Sequence, residues 1–267
     1  MATTLRPMRT LAAACAVMLL VTACGDDDDD AATTTTAPPE ETLEGSITVF
    51  AAASLTDAFE EVGTAFEDAN PGTTIELNFA ASSALREQIL SGAPADVFAS
   101  ANTSNMDQVV DGGAAEGSEP FVQNQLQIAV PDGNPMEVTG LADFADADLL
   151  IGLCAEEVPC GEFGRETLAN AGVVTPSIDT NEPDVRSLLT KIEAGELDAG
   201  IVYITDVQSA GDAVDGIDIP AEDNVIATYP IAALTDAANR DVAEAFVEFV
   251  LSDQGQEILA SYGFDAP

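Results

Sequence analysis

Two serines stand where a predicted strand is followed at once by a predicted helix. Ser54 follows the β-branched run at 46–52, and Ser82 follows the alternating run at 74–79. The first N–H groups of a helix have no acceptor within the helix, and the helix dipole favours negative charge at that end. Each hydroxyl could therefore join backbone N–H groups in binding an anion. The alternative for each serine alone is that its side chain caps its own helix.

Two further helices are predicted to begin in the second half of the chain. One opens at Cys160 and Gly161, after a predicted strand at 149–153. The other opens near Pro183, a residue suited to the first turn of a helix. If these helix starts meet the first two in one cleft, their N–H groups and the serine hydroxyls would form an anion site of neutral donors. An oxyanion that stays doubly charged at physiological pH needs such donors only, and needs no lysine or arginine.

The composition excludes several other functions. The sequence contains no histidine, which excludes histidine-based acid–base catalysis and histidine metal sites. Seven basic residues face 48 acidic ones, a formal net charge of −41, so the basic patch that nucleic-acid binding requires is missing. A secreted serine hydrolase using Ser54 or Ser82 is an alternative, but it would lack the histidine and any lysine or aspartate at a diagnostic spacing. We expect Arg86, Arg165 and Arg186 to be surface or ion-paired residues.

The first 24 residues have the features of a lipoprotein signal peptide. Arg6 and Arg9 form a positive start, and the apolar segment at 11–21 is short for a membrane span. It ends in Val-Thr-Ala-Cys at 21–24, which resembles the lipobox of bacterial lipoproteins, whose cysteine becomes the lipidated first residue. Cys24 is thus the expected lipidation site, and the alternative is ordinary cleavage at small residues with Cys24 incidental. Residues 25–45, with a run of five aspartates and a run of four threonines, are expected to form a disordered acidic tether.

These features predict an exported protein, anchored by lipid at the outer face of the cell membrane or in the periplasm. Outside the cell, two nearby cysteines such as Cys154 and Cys160 more often form a disulfide than remain free thiols. A metal site is the alternative, but the folded domain offers no further cysteine or histidine to complete the ligand set.

From residue 46 onward the apolar pattern alternates between strand and helix. Such units predict an α/β fold with parallel sheets flanked by helices. Open α/β sheets bind ligands beyond the carboxyl ends of their strands, and two such sheets facing each other would form a cleft that closes by hinge motion. The predicted strands are 46–52, 74–79, 96–99, 125–130, 149–153, 199–204, 225–229 and 231–234, and the predicted helices are 56–69, 83–91, 103–111, 161–171, 183–194, 205–210, 241–250 and 254–261.

Several strings of the sequence resemble one known family. They are ITVFAAASLTD at 47–57, FAASSAL at 79–85, GAPADVFASA at 92–101, VPCG at 158–161, EPDVR at 182–186, GIVY at 200–203 and YPIA at 229–232. Over nearly all of 46–264 the chain resembles the periplasmic molybdate-binding proteins of ABC importers, which are type II solute-binding proteins. The resemblance implies a small oxyanion, molybdate or tungstate, as ligand and a membrane permease as partner. It implies neither catalysis, nor a cofactor, nor a metal bound directly by the protein.

The resemblance also assigns ligand-binding residues. Ser54 and Ser82 would bind through hydroxyl and backbone N–H groups, Cys160 and Val185 through backbone N–H groups, and Tyr203 through its hydroxyl. Taken alone, Tyr203 would be interpreted as a core residue whose hydroxyl has a partner. Cys160 replaces the family's alanine, and a disulfide to it would by hypothesis hold the Cys160 N–H in place. The proline at 183 is a second departure from the family pattern.

The implied fold has two α/β lobes with the ligand between them. Lobe I would comprise 46–126 and 229–267, and lobe II would comprise 127–228. The two serines then come from lobe I and the other three site residues from lobe II, so that only the closed form of a monomer makes all the contacts. Sulfate and phosphate are alternative ligands, and a structural surface lipoprotein that uses its acidic face is an alternative from another class.

Overall fold

The computed structural model describes residues 42–175 and 177–267. The predicted signal peptide, the predicted lipidation site Cys24 and the tether up to residue 41 lie outside the described residues. Gly45, the last residue of the predicted tether, already belongs to the first strand. Within the described part of the chain, no helix is long and apolar enough to cross a membrane.

Strands and helices alternate along the chain, which confirms the predicted α/β class. Short 3₁₀ turns cover Ala53–Leu55, Leu141–Ala145 and Gly211–Ala213. The strands are β1 (Gly45–Ala52), β2 (Thr73–Ala80), β3 (Val97–Ala99), β4 (Glu119–Pro131), β5 (Ile151–Cys154), β6 (Thr180–Glu182), β7 (Ala199–Tyr203), β8 (Val214–Asp218) and β9 (Ile226–Ala233). The helices are α1 (Thr56–Ala69), α2 (Ser82–Leu90), α3 (Thr103–Asp111), α4 (Pro159–Asn170), α5 (Val185–Glu193), α6 (Ile204–Ala210), α7 (Arg240–Leu251) and α8 (Asp253–Ser261).

The described strands pair in the order β2-β1-β3-β9-β4-β7-β5-β6, with β8 beside β4. β1 runs parallel to β2 and β3, whereas β9 is antiparallel to both β3 and β4. The first part of β4 pairs with β9, and its second part pairs with β7 and β8. β4 therefore connects a first strand group (β1, β2, β3 and β9) to a second strand group (β5, β6, β7 and β8).

Four strands end where the predicted site residues begin. β1 ends at Ala52, β2 at Ala80, β5 at Cys154 and β7 at Tyr203, and a helix or 3₁₀ turn starts within five residues of each end. Because ligands of open α/β sheets lie beyond the carboxyl ends of the strands, this connectivity places both serines, the cysteine pair and Tyr203 at the edges where a ligand would be held.

Helix α1 shows how the sequence builds the layer beneath the site. Its apolar residues recur at helical spacing, and Phe59 and Phe66 are buried on the face that packs inward. Both rings pack edge-on against Phe246 of α7, with centroids 6.2 and 5.4 Å apart. This packing fixes the start of α1, which directly follows the turn that carries Ser54.

The prediction that Pro230 separates two strands was wrong. Residues 226–233 form the single strand β9, and Pro230 pairs with Pro120 of β4 at a point where the register of the two strands shifts. A proline lacks the N–H that a regular ladder needs, and such an irregularity tolerates the loss. The Pro230 carbonyl still accepts a hydrogen bond from the Ser100 N–H at 2.9 Å, so the strand continues through the proline.

Two short strands and part of a third were missed. β6 has three residues, and β8 is half exposed at the side of β4, so neither carries a distinct apolar pattern. β4 begins at Glu119 rather than at residue 125, because its early part pairs with β9 through the irregular region at Pro120.

Candidate ligand-binding site

The five predicted ligand-binding residues line one small cavity. Its walls include Ser54 in the turn after β1, Ser82 at the start of α2, Cys160 in the first turn of α4, Val185 at the start of α5 and Tyr203 at the end of β7. The volume open to the centre of a water-sized sphere is about 20 Å³. A single water needs roughly 10–15 Å³ by that measure, so the cavity suits a ligand of very few atoms.

The starts of three helices, α2, α4 and α5, converge on this cavity. Among the described residues, neither the Cys160 N–H nor the Val185 N–H has a hydrogen-bond acceptor. Both residues lie in a first turn, where no carbonyl of the same helix is within reach. The cavity therefore collects free N–H groups and the positive ends of helix dipoles, which is the environment that an anion prefers.

Neither serine caps its own helix, so the capping alternative was wrong. The Ser82 Oγ accepts a hydrogen bond from the Ala101 N–H at 2.9 Å, and the Ser82 side chain is 1% exposed. The Ser54 Oγ lies 2.9 Å from the hydroxyl of Tyr229, and both side chains are buried. Each serine thus lines the cavity and is also hydrogen-bonded to another buried polar group of the protein.

The Tyr203 hydroxyl is buried, and it has no hydrogen-bond partner among the described residues. A buried polar group without a partner is uncommon and costs free energy, so it indicates that a partner is to be supplied. Burial, together with the nearby Tyr229 and Asp206, raises the pKa of Tyr203 well above its ordinary value. The hydroxyl therefore keeps its proton and is available as a donor, unlike the satisfied core tyrosine that was the alternative.

No lysine or arginine is among the described residues that line the cavity, and Asp184 is the one carboxylate among them. Asp184 caps α5: its two carboxylate oxygens accept hydrogen bonds from the N–H and the hydroxyl of Ser187, at 2.8 and 3.1 Å. The described lining thus combines neutral donors with one carboxylate that is engaged in capping its own helix. Across the described ranges 42–175 and 177–267, no cluster of three or more potential metal-ligating side chains occurs.

A disulfide joins Cys154, the last residue of β5, to Cys160 in the first turn of α4. Arg165 reinforces this loop, because its guanidinium donates to the carbonyl oxygens of Cys154 and Gly161 at 2.8 and 2.9 Å. At Gly161 an added Cβ would lie only 1.8 Å from the Ala155 oxygen, so the loop needs glycine there. Arg165 therefore holds the loop that carries the Cys160 N–H, a role that the sequence did not reveal.

Arg186 is ion-paired, as predicted, and its partners lie on helices that follow strands of the first and of the second strand group. It pairs with Asp57 of α1, and its Nε lies 3.4 Å from an oxygen of the buried Asp206 in α6. The other Asp206 oxygen accepts the Tyr203 N–H at 3.1 Å. Burial raises the pKa of Asp206 to about 6, although the charge of Arg186 opposes the rise.

Two residues at the site were missed by sequence reasoning. Tyr229 contacts Ser54 across 175 positions of sequence, and Asp206 supports Tyr203 from the following helix. No local spacing marks Tyr229, which lies in an apolar strand. For Asp206 the sequence holds a weak indication, because it is the acidic residue three positions after Tyr203. At that spacing a carboxylate can accept a hydrogen bond from the backbone N–H at a helix start.

Comparison with known proteins identifies the family. The model of the bacterial extracellular solute-binding proteins matches residues 47–265. The chain is 37% identical over 223 residues to the molybdate-binding protein ModA of Mycobacterium tuberculosis, covering 83% of this chain and 85% of that protein. It is 33% identical over 227 residues to the putative ABC transporter substrate-binding lipoprotein YvgL of Bacillus subtilis, covering 83% and 86%.

The fold of a solved relative agrees. The periplasmic molybdate-binding protein of Azotobacter vinelandii superposes with a TM-score of 0.73 at 18% identity, covering 83% of this chain and 99% of that one. At this identity the likeness shows the fold, which is the two-lobed fold of periplasmic binding proteins. The chain therefore belongs to the bacterial extracellular solute-binding proteins and, within them, to the ModA family.

Proposed function

We propose that this protein captures molybdate, and tungstate through the same contacts, and delivers it to the permease of an ABC importer. The observation that carries the proposal is the convergence of the five expected residues on one small cavity of neutral donors. Relatives that share about a third of its residues bear the name of molybdate-binding proteins. The protein is a solute-binding protein and not an enzyme, so the serine hydrolase alternative was wrong.

The proposed ligand contacts come from both strand groups. Ser54 and Ser82 approach from the first group, and Cys160, Val185 and Tyr203 approach from the second. We assign lobe I to 46–126 and 229–267 and lobe II to 127–228. Because only the closed arrangement makes all five contacts, the ligand would stabilise closure, and the closed surface would be the form that the permease recognises.

The donor set accounts for the proposed selectivity. Phosphate carries a proton near neutral pH, and that proton needs an acceptor, but the one carboxylate in the described lining, Asp184, is oriented toward Ser187 by two hydrogen bonds as the cap of α5. Burying a proton donor without an acceptor costs free energy, so phosphate should bind weakly. Sulfate has no proton but is smaller than molybdate, so its oxygens would fall short of some donors. Tungstate has nearly the size and the charge of molybdate and should bind equally well.

We further propose that Cys24 carries the lipid and that residues 25–45 link the anchor to the folded domain of a monomeric protein. The support is the lipobox-like sequence at 21–24 and the run of aspartates and threonines that follows it. The lipoprotein name of the Bacillus subtilis relative agrees with this assignment. Metabolic labelling with a fatty acid tests it, since a Cys24→Ser variant should lose the label and a Cys15→Ser variant should keep it.

Calorimetric titration of residues 25–267 with molybdate, tungstate, sulfate and phosphate tests the ligand. We expect tight one-to-one binding of the first two anions and weak or undetectable binding of the others. Ser82→Ala should weaken molybdate binding about tenfold or more, since it removes a hydrogen bond to a charged ligand. Ser83→Ala is the matched control, because Ser83 is buried beside Ser82 but does not line the cavity. Heat signals absent for all four anions would contradict the proposal.

A further inference from the structure

Tyr229 is fully buried in β9 and contacts two residues of the site, Ser54 through its hydroxyl and Tyr203 through its ring. Its Oη lies 2.9 Å from the Ser54 Oγ, and the Tyr229 side chain is 0% exposed. Tyr229 does not itself line the cavity, whereas Ser54 does. The geometry thus places a second hydroxyl directly behind the one that would meet the ligand.

The contact at Ser82 shows how a neighbouring polar group can orient a serine hydroxyl. Its Oγ accepts a hydrogen bond from the Ala101 N–H, and an N–H group can only donate. Since an accepting lone pair of Ser82 is occupied from behind, the hydroxyl proton of Ser82 is free to point into the cavity. The Ala101 N–H therefore leaves the Ser82 hydroxyl free to donate toward the ligand.

For Ser54 the same contact could have either polarity, because a hydroxyl can donate or accept. If Ser54 donated to Tyr229, only oxygen lone pairs of Ser54 would face the cavity, and they would repel an anion. Among the described residues, Ser54 is the one side chain within 3.5 Å that forms a hydrogen bond with the Tyr229 hydroxyl, although the Tyr203 and Asn124 side chains lie near it. If Tyr229 donates to Ser54, both protons are used and the Ser54 proton can reach the ligand.

The surroundings of Tyr229 favour the second polarity. Burial raises the pKa of Tyr229 far above its ordinary value, so the hydroxyl keeps its proton. Three aromatic rings pack edge-on against it, those of Phe121, Tyr203 and Phe264, with centroids 6.4, 6.0 and 5.7 Å away. Aromatic packing on three sides leaves the ring little freedom, so the core fixes where its hydroxyl lies.

We propose that Tyr229 is a positioning residue for the anion site, one that donates to the Ser54 Oγ and so directs the Ser54 proton toward the ligand. The inference rests on the proposed oxyanion function and extends it by one residue. The proposed effect of the Tyr229 hydroxyl runs through Ser54, which distinguishes it from the packing of the Tyr229 ring against Tyr203.

A double-mutant cycle on residues 25–267, titrated with molybdate, tests this role. We expect Tyr229→Phe to weaken binding roughly three- to tenfold and Ser54→Ala about tenfold, since each removes or misdirects one hydrogen bond to the anion. In the Ser54→Ala background, Tyr229→Phe should cause no further loss, because its target is gone. Tyr262→Phe serves as control, since Tyr262 is hydrogen-bonded to Glu61 near the surface and should leave binding unchanged.

Two outcomes would overturn the inference. One is unchanged affinity of Tyr229→Phe, and the other is an equal loss from Tyr229→Phe with and without Ser54, which would indicate packing. Failure of the unsubstituted protein to bind molybdate would instead overturn the proposed function, and the inference with it. If Tyr229→Phe does not fold, 4-aminophenylalanine at position 229 supplies a hydrogen-bond donor at the same place. Retained affinity of this variant for molybdate supports the inference, and a loss of tenfold or more contradicts it.

Discussion

Arg186, the second residue of α5, forms an ion pair with Asp57, the second residue of α1. α1 follows β1 of the first strand group and α5 follows β6 of the second, and each helix starts within two residues of a residue that lines the cavity. Arg186 also approaches the buried Asp206, whose other oxygen accepts the Tyr203 N–H. This chain of contacts connects the walls of the site on one side of the cavity.

Asp57→Asn should weaken molybdate binding without altering the cavity lining. In the proposed closure of the two lobes, the pair would form only when the two walls are together, so its loss would remove part of the free energy that favours closure. Because both side chains are partly exposed, we expect an effect of about 0.5–1 kcal/mol, or roughly a two- to fivefold higher Kd by calorimetry. Asp68→Asn on the exposed face of α1 is the control. Equal affinity of Asp57→Asn and the unsubstituted protein would show that the pair does not contribute to closure.

Asp206 should make stability fall as the pH rises. Its pKa is raised from 3.8 to about 6, so between these values the folded protein binds more protons at this site than the unfolded chain. The contribution of Asp206 to the free energy of unfolding is therefore most favourable below about pH 4, falls as the pH rises to about 6, and is constant above that. Burial is the main cause, and Arg186, Asp57 and Asp184 are the charged neighbours.

Denaturant unfolding of Asp206→Asn between pH 3 and pH 8 measures this contribution. Relative to the unsubstituted protein, Asp206→Asn should gain stability as the pH rises from about 4 to about 6. Asp143→Asn provides the opposite case, because hydrogen bonds from the N–H and hydroxyl of Thr139 lower the pKa of Asp143. Asp143→Asn should be less stable than the unsubstituted protein at neutral pH, and this difference should disappear as the pH falls below about 4. A stability difference for Asp206→Asn that does not vary with pH would contradict the assignment.

The sequence predicted elements well where an apolar stripe met a clear stop signal. α1 was predicted at 56–69 and runs over those residues, because its buried side chains recur at helical spacing and Asn70 and Pro71 follow. β9 was predicted as two strands because a proline inside a strand argues against one. Only the pairing with Pro120, 110 residues earlier in sequence, shows why Pro230 is tolerated.

The candidate site was predictable where its expected donors are local. A serine or a backbone N–H at a helix start can be located from the strand before it and the helix after it, and this was enough to find Ser54, Ser82 and Cys160. What holds these groups was not predictable. Tyr229 behind Ser54 and Arg165 on the disulfide loop depend on tertiary contacts that no sequence spacing specifies.

Replacing Cys154 and Cys160 by serine should lower stability and affinity together. Closing so short a loop contributes about 2 kcal/mol on the chain-entropy model, so the free energy of unfolding should fall by about that amount. Affinity should fall less, about two- to fivefold, because Arg165 still holds the Cys154 and Gly161 carbonyls after the disulfide is lost. Adding Arg165→Gln to the double variant should lower the affinity further. Unchanged affinity and stability of the double variant would rule out a role for the disulfide in organising the site.

Tyr203→Phe should separate stability from binding. The Tyr203 hydroxyl is buried without a partner among the described residues, so deleting it removes a desolvation cost and should raise the unfolding free energy of the ligand-free protein by about 1 kcal/mol. The same deletion removes a donor to the anion and should raise the Kd for molybdate about tenfold. Thermal unfolding with and without molybdate measures both effects on one sample.

Tyr262→Phe, which breaks a hydrogen bond to Glu61 near the surface, should leave the molybdate-induced rise in Tm unchanged. If Tyr203→Phe instead lowered the stability of the ligand-free protein and left the affinity intact, the hydroxyl would serve the core and not the ligand.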